Sequence, residues 1–207
     1  KELGLQDEVA HALGELGITD PTEIQQKVIP LIKEGRDVIG VSKTGSGKTI
    51  AFGTPILGSL RPGQAIQALI IVPVRELAEQ VGKELRKFSK NLRLKVAIVY
   101  GGVSLGPQTE QLRSSEIVVG TPGRLLDHLS RGSINLSHVR VVVLDEADKM
   151  ATMGFIEDVQ EILKETPSTR QTLLFGATIS EDIARLRDHY MRSPVTIRAE
   201  HHVDQKL

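Results

Sequence analysis

The sequence contains no cysteine and no tryptophan. Without thiols, disulfide frameworks, thiolate zinc sites and cysteine nucleophiles are excluded, and a cytoplasmic address is the expectation. Aromatic residues make up only 3% of the 207 positions, so a platform that stacks several bases is not expected. Neither sign of charge dominates, since 26 Lys and Arg balance 26 Asp and Glu. A neutral chain lacks the broad basic field of a dedicated nucleic-acid binder, so any nucleic acid must be gripped locally. No apolar run approaches the roughly 18 residues of a membrane span, and Lys1-Glu2-Leu3-Gly4-Leu5 has no signal-peptide core. No membrane partner is expected.

What is present is alternation. Apolar runs at Asp37–Val41, Ala68–Val72, Lys95–Tyr100, Glu116–Val119, Val139–Leu144, Thr172–Phe175 and Val195–Arg198 read as seven strands. Most are nearly continuous rather than alternating, as in strands buried on both faces. Between them, Arg75–Lys90, Leu105–Leu112, Gly123–Arg131, Met153–Thr166 and Glu181–Met191 carry apolar residues at helical spacing. The reading is one α/β domain with a central, mostly parallel sheet of about seven strands covered by helices on both faces. Ligands of such sheets bind beyond the carboxyl ends of the strands, so the residues after each apolar run are the candidates. The polar tail from His201 to Leu207 reads as the start of a linker, its two histidines solvated rather than ligating.

Directly after the first strand stands Ser42-Lys43-Thr44-Gly45-Ser46-Gly47-Lys48-Thr49, a loop whose glycines let backbone N–H groups close on phosphates. The helix opening near Lys48 adds its N-terminal dipole. Lys48 is placed to reach the β- and γ-phosphates of a nucleotide, and the Thr49 hydroxyl to ligate Mg²⁺. A dinucleotide fingerprint fits more poorly, because Gly45-Ser46-Gly47-Lys48-Thr49-Ile50 lacks its third glycine.

The run Val139–Leu144 ends at Asp145-Glu146-Ala147-Asp148. Beside a phosphate loop, Asp145 suits hydrated Mg²⁺ and Glu146 suits the base or orienter that aims water at a triphosphate. An acidic helix cap accounts for the same residues.

In these motifs the chain resembles the first RecA-like domain of a DEAD-box RNA helicase, the four residues Asp145-Glu146-Ala147-Asp148 spelling the family name. Gly17-Ile18-Thr19-Asp20-Pro21-Thr22-Glu23-Ile24-Gln25 is similar to the adenine-reading Q motif, which implicates Pro21, Thr22 and Gln25. The carboxamide of Gln25 offers a donor and an acceptor, matching adenine N6 and N7. Pro73-Val74-Arg75 resembles motif Ia, Gly101-Gly102 the double glycine, and Thr121-Pro122-Gly123-Arg124 motif Ib. The resemblance implies sugar-phosphate contacts to RNA from Pro73, Arg75, Gly102, Thr121, Gly123 and Arg124, although each segment alone is also ordinary turn or capping sequence. Gly176-Ala177-Thr178 stands where the family has Ser-Ala-Thr, and with Asp148 it implies coupling to a second domain.

Implied by the resemblance is an ATP-dependent RNA helicase domain at residues 1–200, with the Q-motif extension at 1–34, a linker from 201, and a second RecA-like domain beyond Leu207. ATP or ADP and Mg²⁺ are the expected cofactors, RNA and the second domain the expected partners. Lys48, Asp145 and Glu146 carry catalysis. Gly176 favours an alternative, an ATP-gated RNA clamp that unwinds little. An arginine finger from the second domain is worth about 10³ to 10⁵ in rate, so this domain alone is expected to be nearly inactive.

Overall fold

The computed structural model describes Ala10 and residues 21–43, 47–63 and 65–199. The linker at 201–207, most of the Q-motif extension, and Thr44, Gly45 and Ser46 lie outside the described residues. Seven strands, β1 (Val38–Val41), β2 (Ala68–Ile71), β3 (Val96–Val99), β4 (Ile117–Gly120), β5 (Val141–Leu144), β6 (Gln171–Gly176) and β7 (Val195–Arg198), alternate with helices. The described helices are α1 (Glu23–Lys33), α2 (Lys48–Leu57), α3 (Arg75–Ser89), α4 (Leu105–Arg113), α5 (Pro122–Arg131), α6 (Ala147–Thr152), α7 (Ile156–Lys164) and α8 (Glu181–Tyr190).

All seven expected strands are present in one sheet, ordered β3-β4-β2-β5-β6-β1-β7, and every pair is parallel. Side chains along each strand alternate between two cores. Val38 joins one with Ile70, Val143 and Leu173, under α1, α2 and α3. Ile39 joins the other with Leu69, Val142 and Leu174, under α4 to α8. One expected helix differs: the segment Met153–Thr166 begins only at Ile156, because Gly154 at φ +81° separates it from the short α6.

Two buried carboxylates tie the amino ends of the strands together. Asp37 accepts from the amides of Thr172 at 2.9 Å and Arg192 at 2.6 Å, joining the entries of β1, β6 and β7. Glu116 accepts from Gly63 at 3.0 Å and Lys95 at 2.8 Å. Each satisfies backbone donors that the sheet ladder leaves open.

Gly40 lies beside Phe175 in the register of β1 and β6, and a Cβ at Gly40 would stand 2.5 Å from the Phe175 ring. Glycine in a strand here marks close approach. Phe175 is fully buried and meets Phe52 at 5.5 Å between ring centroids. Truncating it leaves a cavity beneath α2, so Phe175→Ala is expected to cost about 3–5 kcal/mol and Gly40→Ala about 1–3 kcal/mol by overpacking. Urea denaturation monitored by circular dichroism measures both.

Candidate functional site

Strand order fixes where the site is. In the sheet β6 lies between β5 and β1, so the loops after β1 and β5 and the end of β6 converge at one carboxyl edge. The Ser42 amide donates to the Gly176 carbonyl at 3.0 Å, and the Asp145 amide to Ile71 at 3.0 Å. Gly47 occupies the N-cap of α2 at φ +82°, a left-handed conformation that costs glycine little. A Cβ there would stand 2.6 Å from Gln25 Nε2. Lys48 opens α2, is 7% exposed, and its Nζ lies 3.9 Å from Glu146 Oε1 with no hydrogen-bond partner among the described residues. Ser42 is buried, Lys43 exposed and Thr49 partly buried.

Asp145 is 5% exposed, and one of its oxygens accepts the Glu146 amide at 2.9 Å. Burial pushes its carboxyl up to about 6, helped by the charges of Glu146 and Asp148 and opposed by Lys48 and the Glu146 amide. Glu146, which also has Lys149 Nζ at 3.8 Å, holds φ +53°. That region is uncommon for a non-glycine residue and collects at functional sites, where the surroundings enforce it. Glu146 is also the N-cap residue of α6, but its side chain makes no capping bond.

The site therefore has a buried ammonium with no hydrogen-bond acceptor among the described residues beside a buried acid whose charge burial disfavours. Both deficits fit a magnesium-bound polyphosphate, whose oxygens suit Lys48 and whose cation suits Asp145 and Thr49. Among the described residues no group of three or more His, Asp or Glu could hold a metal by itself. Mg²⁺ typically binds through one or two carboxylates plus substrate phosphates.

Gln25 is 3% exposed and belongs to a capping box. Its Nε2 donates to the Gly47 carbonyl at 3.3 Å, its Oε1 accepts the Thr22 amide at 2.9 Å, and its own amide donates to Thr22 Oγ1 at 3.4 Å. It thereby ties the start of α1, just after Pro21, to the phosphate loop.

Along the same edge stands the second group of expected residues. Pro73 is buried, whereas Arg75, Gly102 and Gly123 are exposed. The Arg75 guanidinium lies 4.7 Å over the Tyr100 ring, with its Nε 3.7 Å from Glu79. Tyr100 donates its hydroxyl to Glu79 at 2.7 Å, a bond that lowers the Glu79 carboxyl and raises the Tyr100 phenol. Thr121 is the N-cap residue of α5, and its side chain makes no capping bond. Arg124 turns inward: its side chain is 10% exposed, and Nη1 donates to the Val103 carbonyl at 2.9 Å and to Gln108 at 3.2 Å. Gln108 also donates to the Tyr100 carbonyl and meets the buried His128 ring at 3.0 Å. Burial keeps His128 below its usual value, so it donates Nε2–H to Gln108 as a neutral ring. Sequence reasoning missed Glu79, Tyr100, Gln108 and His128. The first two carried a signal, one four residues after Arg75 and the other directly before the double glycine.

Asp148 faces Gly176. Its Oδ2 accepts the Ala177 amide at 3.2 Å, while Oδ1 is buried with no partner among the described residues and lies 3.0 Å from where a Cβ at position 176 would be. Thr178 is exposed just beyond. A serine at 176 places a hydroxyl donor within reach of Oδ1 once Asp148 yields by a few tenths of an ångström. In Gly176→Ser, ADP affinity by calorimetry is expected to stay within about twofold, while duplex unwinding by full-length protein changes more. Equal effects on both contradict this.

The raised Asp145 carboxyl carries a sign. Its charge is unfavourable in the folded state, so its cost appears as pH rises from the unfolded value near 3.8 and is complete above about 6. In metal-free, nucleotide-free protein, Asp145→Asn is expected to raise stability by about 1 kcal/mol at pH 7.5 and by much less at pH 4.5. Urea titrations at the two pH values in the presence of EDTA measure the difference.

Residues 22–186 match the family described as DEAD/DEAH box helicase. The ATP-dependent RNA helicase CshA of Listeria monocytogenes is 48% identical over 199 residues, covering 95% of this chain and 38% of the relative. The DEAD-box ATP-dependent RNA helicase CshA of Geobacillus kaustophilus is 46% identical over 202 residues, covering 97% and 43%. A solved DEAD box protein from the hyperthermophile Methanococcus jannaschii matches with a TM-score of 0.93 at 42% identity, over 96% of this chain and 55% of that one. The chain thus spans about two fifths of the length of these curated relatives. With the family match over most of its length and a RecA-like parallel sheet presenting the expected motifs at one edge, the chain belongs to the DEAD/DEAH box helicase family.

Proposed function

We propose that this chain is the nucleotide-binding domain of an ATP-dependent RNA helicase, acting in the cytoplasm with a second RecA-like domain. The observation that carries the reading is the Lys48 ammonium, buried with no hydrogen-bond acceptor among the described residues and with its ion pair to Glu146 stretched to 3.9 Å. A buried charge without hydrogen bonds is costly, and a triphosphate supplies the missing acceptors. Lys48 holds the β- and γ-phosphates, and the amides of Ser42, Lys43 and Gly47 with the N-terminus of α2 stand beside them. Thr49 and Asp145 hold Mg²⁺, which when bound neutralises charge on the phosphates. Glu146 orients water for attack on the γ-phosphate and takes its proton, its strained backbone fixing the carboxylate's direction. Gln25 reads adenine by exchanging its bond to Gly47 or Thr22 for one to the base.

RNA crosses the same edge. Arg75, with its guanidinium laid on Tyr100 and its Nε near Glu79, takes a phosphate. Gly102, Gly123 and the N-termini of α3 and α5 supply backbone donors, contacts that position a strand without reading its bases. Arg124 acts indirectly, by bracing the double-glycine loop through Val103. A second reading, an ATP-gated RNA clamp with little unwinding, is favoured by the unpartnered Asp148 Oδ1 beside Gly176. Strand separation against ATP-dependent RNA retention in full-length protein separates the two.

Calorimetry tests the nucleotide site. Lys48→Ala is expected to weaken magnesium-ADP binding roughly 10- to 100-fold, the range expected for a lost charge-assisted hydrogen bond. Unchanged binding contradicts the assignment. Arg75→Ala is expected to weaken RNA binding about equally for all base sequences and to lower the slope of log affinity against log salt by about 0.7, as one phosphate contact to a single strand requires.

A further inference from the structure

The two edges of the sheet carry charge differently. At the carboxyl edge, among the described residues, the loops after the strands carry Lys43, Asp145 and Glu146 as their charged side chains, with Lys48, Arg75 and Arg124 in the first turns of the helices that follow, while exposed Glu34 and Glu165 stand at the other edge. The opposite, amino edge carries cations ahead of most strands, many of them exposed. Two clefts open there. One, of about 470 Å³, is lined by Arg93, Lys95 and Arg113 with Pro62 and Gly63, ahead of β3, β4 and β2. The other, of about 540 Å³, includes Lys33, Arg140 and Arg192 and lies ahead of β5, β6 and β1.

Helix C-termini point to this edge and favour cations there, which accounts for Lys33 and Arg113 in the last turns of α1 and α4. It does not account for Arg93, Lys95 and Arg140, which lie beyond any helix end. Among the described residues neither Arg93 nor Lys95 has a carboxylate within ion-pair distance, whereas Arg113 pairs with Glu110 at 2.9 Å. The carboxylate in the first cleft, Glu116, is 4% exposed and engaged by the Gly63 and Lys95 amides. Arg140 bonds a single carbonyl, Ser59, at 3.2 Å.

We infer that this amino edge is a second, weaker track for the sugar-phosphate backbone of single-stranded RNA. The inference rests on the proposed RNA reading of the carboxyl edge and extends it. Charge in two clefts, three strand spacings or about 14 Å apart from β4 to β6, suits a repeating polyanion. An acidic protein partner fits less well, because such interfaces need apolar anchors. The exposed large hydrophobic residues among those described are Val103 and Met153, and neither lines either cleft. Strands of four to six residues are about 13–20 Å long, so a few extended nucleotides carry a strand from one edge to the other.

The test uses full-length protein, with RNA of about 8 and about 30 nucleotides, lengths that straddle the usual single-strand site size. Arg93→Gln combined with Lys95→Gln, and separately Arg140→Gln, leave the nucleotide site untouched. The double variant is expected to bind the long RNA about 5- to 10-fold more weakly and to lower its salt slope by about 1.4, at 0.7 per phosphate contact. Short-RNA and ADP affinities and the melting temperature stay unchanged. Arg140→Gln shows about half the change in slope, and Arg93→Glu with Lys95→Glu a larger loss. Unaltered long-RNA binding in these variants overturns the inference, as does a deca-glutamate peptide whose binding they abolish while RNA binding persists. Arg75→Ala serves as the control arm. If it leaves both RNA lengths unaffected, the carboxyl-edge reading fails, whatever the amino-edge variants do.

Discussion

An ammonium and two carboxylates buried together at the ends of adjacent parallel strands are the constraint on which the site depends. Lys48, Asp145 and Glu146 are each at most 7% exposed, yet Lys48 and Glu146 stand 3.9 Å apart rather than in hydrogen-bonded contact. Such an arrangement opposes folding, because charges removed from water need close partners. The sheet meets this cost with apolar surface on both faces, where strands such as Val141–Leu144 are buried on each side. Stability made in the core holds the charged groups in a geometry that a nucleotide completes, the usual trade between stability and activity.

Strand order does the positioning. Because β6 lies between β5 and β1, Gly176 comes between the phosphate loop and the acidic segment, and bonds to both groups follow. The Ser42 amide reaches the Gly176 carbonyl, and the Ala177 amide reaches Asp148. A change in the nucleotide site is therefore one hydrogen bond from the segment proposed to couple to a second domain. Gln25 makes a comparable link on the other side, joining the N-cap of α1 to Gly47.

Most of this was legible before any coordinates. Seven apolar runs correspond to seven strands, each short, most of them rich in β-branched residues and bounded by turn signals, and the phosphate loop and acidic segment announced themselves by strand-end position. The split between α6 and α7 was not legible, because Met153-Gly154 interrupts an apolar pattern without breaking its period. Nor was the inward turn of Arg124. Spacing places Arg124 in the first turn of a helix, but whether its guanidinium meets solvent or the Val103 carbonyl depends on Gln108, which lies on another helix and carries no signature of its own. Gln25 illustrates the same limit: its family motif was visible, and its engagement by Thr22 and Gly47 was not.

The central claim is that a magnesium-bound nucleotide completes the unpartnered charges between β1 and β5. A crystal structure of the chain with Mg²⁺ and a non-hydrolysable ATP analogue tests it most directly. The account predicts β- and γ-phosphate oxygens in hydrogen-bond contact with Lys48 Nζ and a metal-bound water on Asp145. A nucleotide seated elsewhere, with Lys48 still lacking an acceptor, would contradict it.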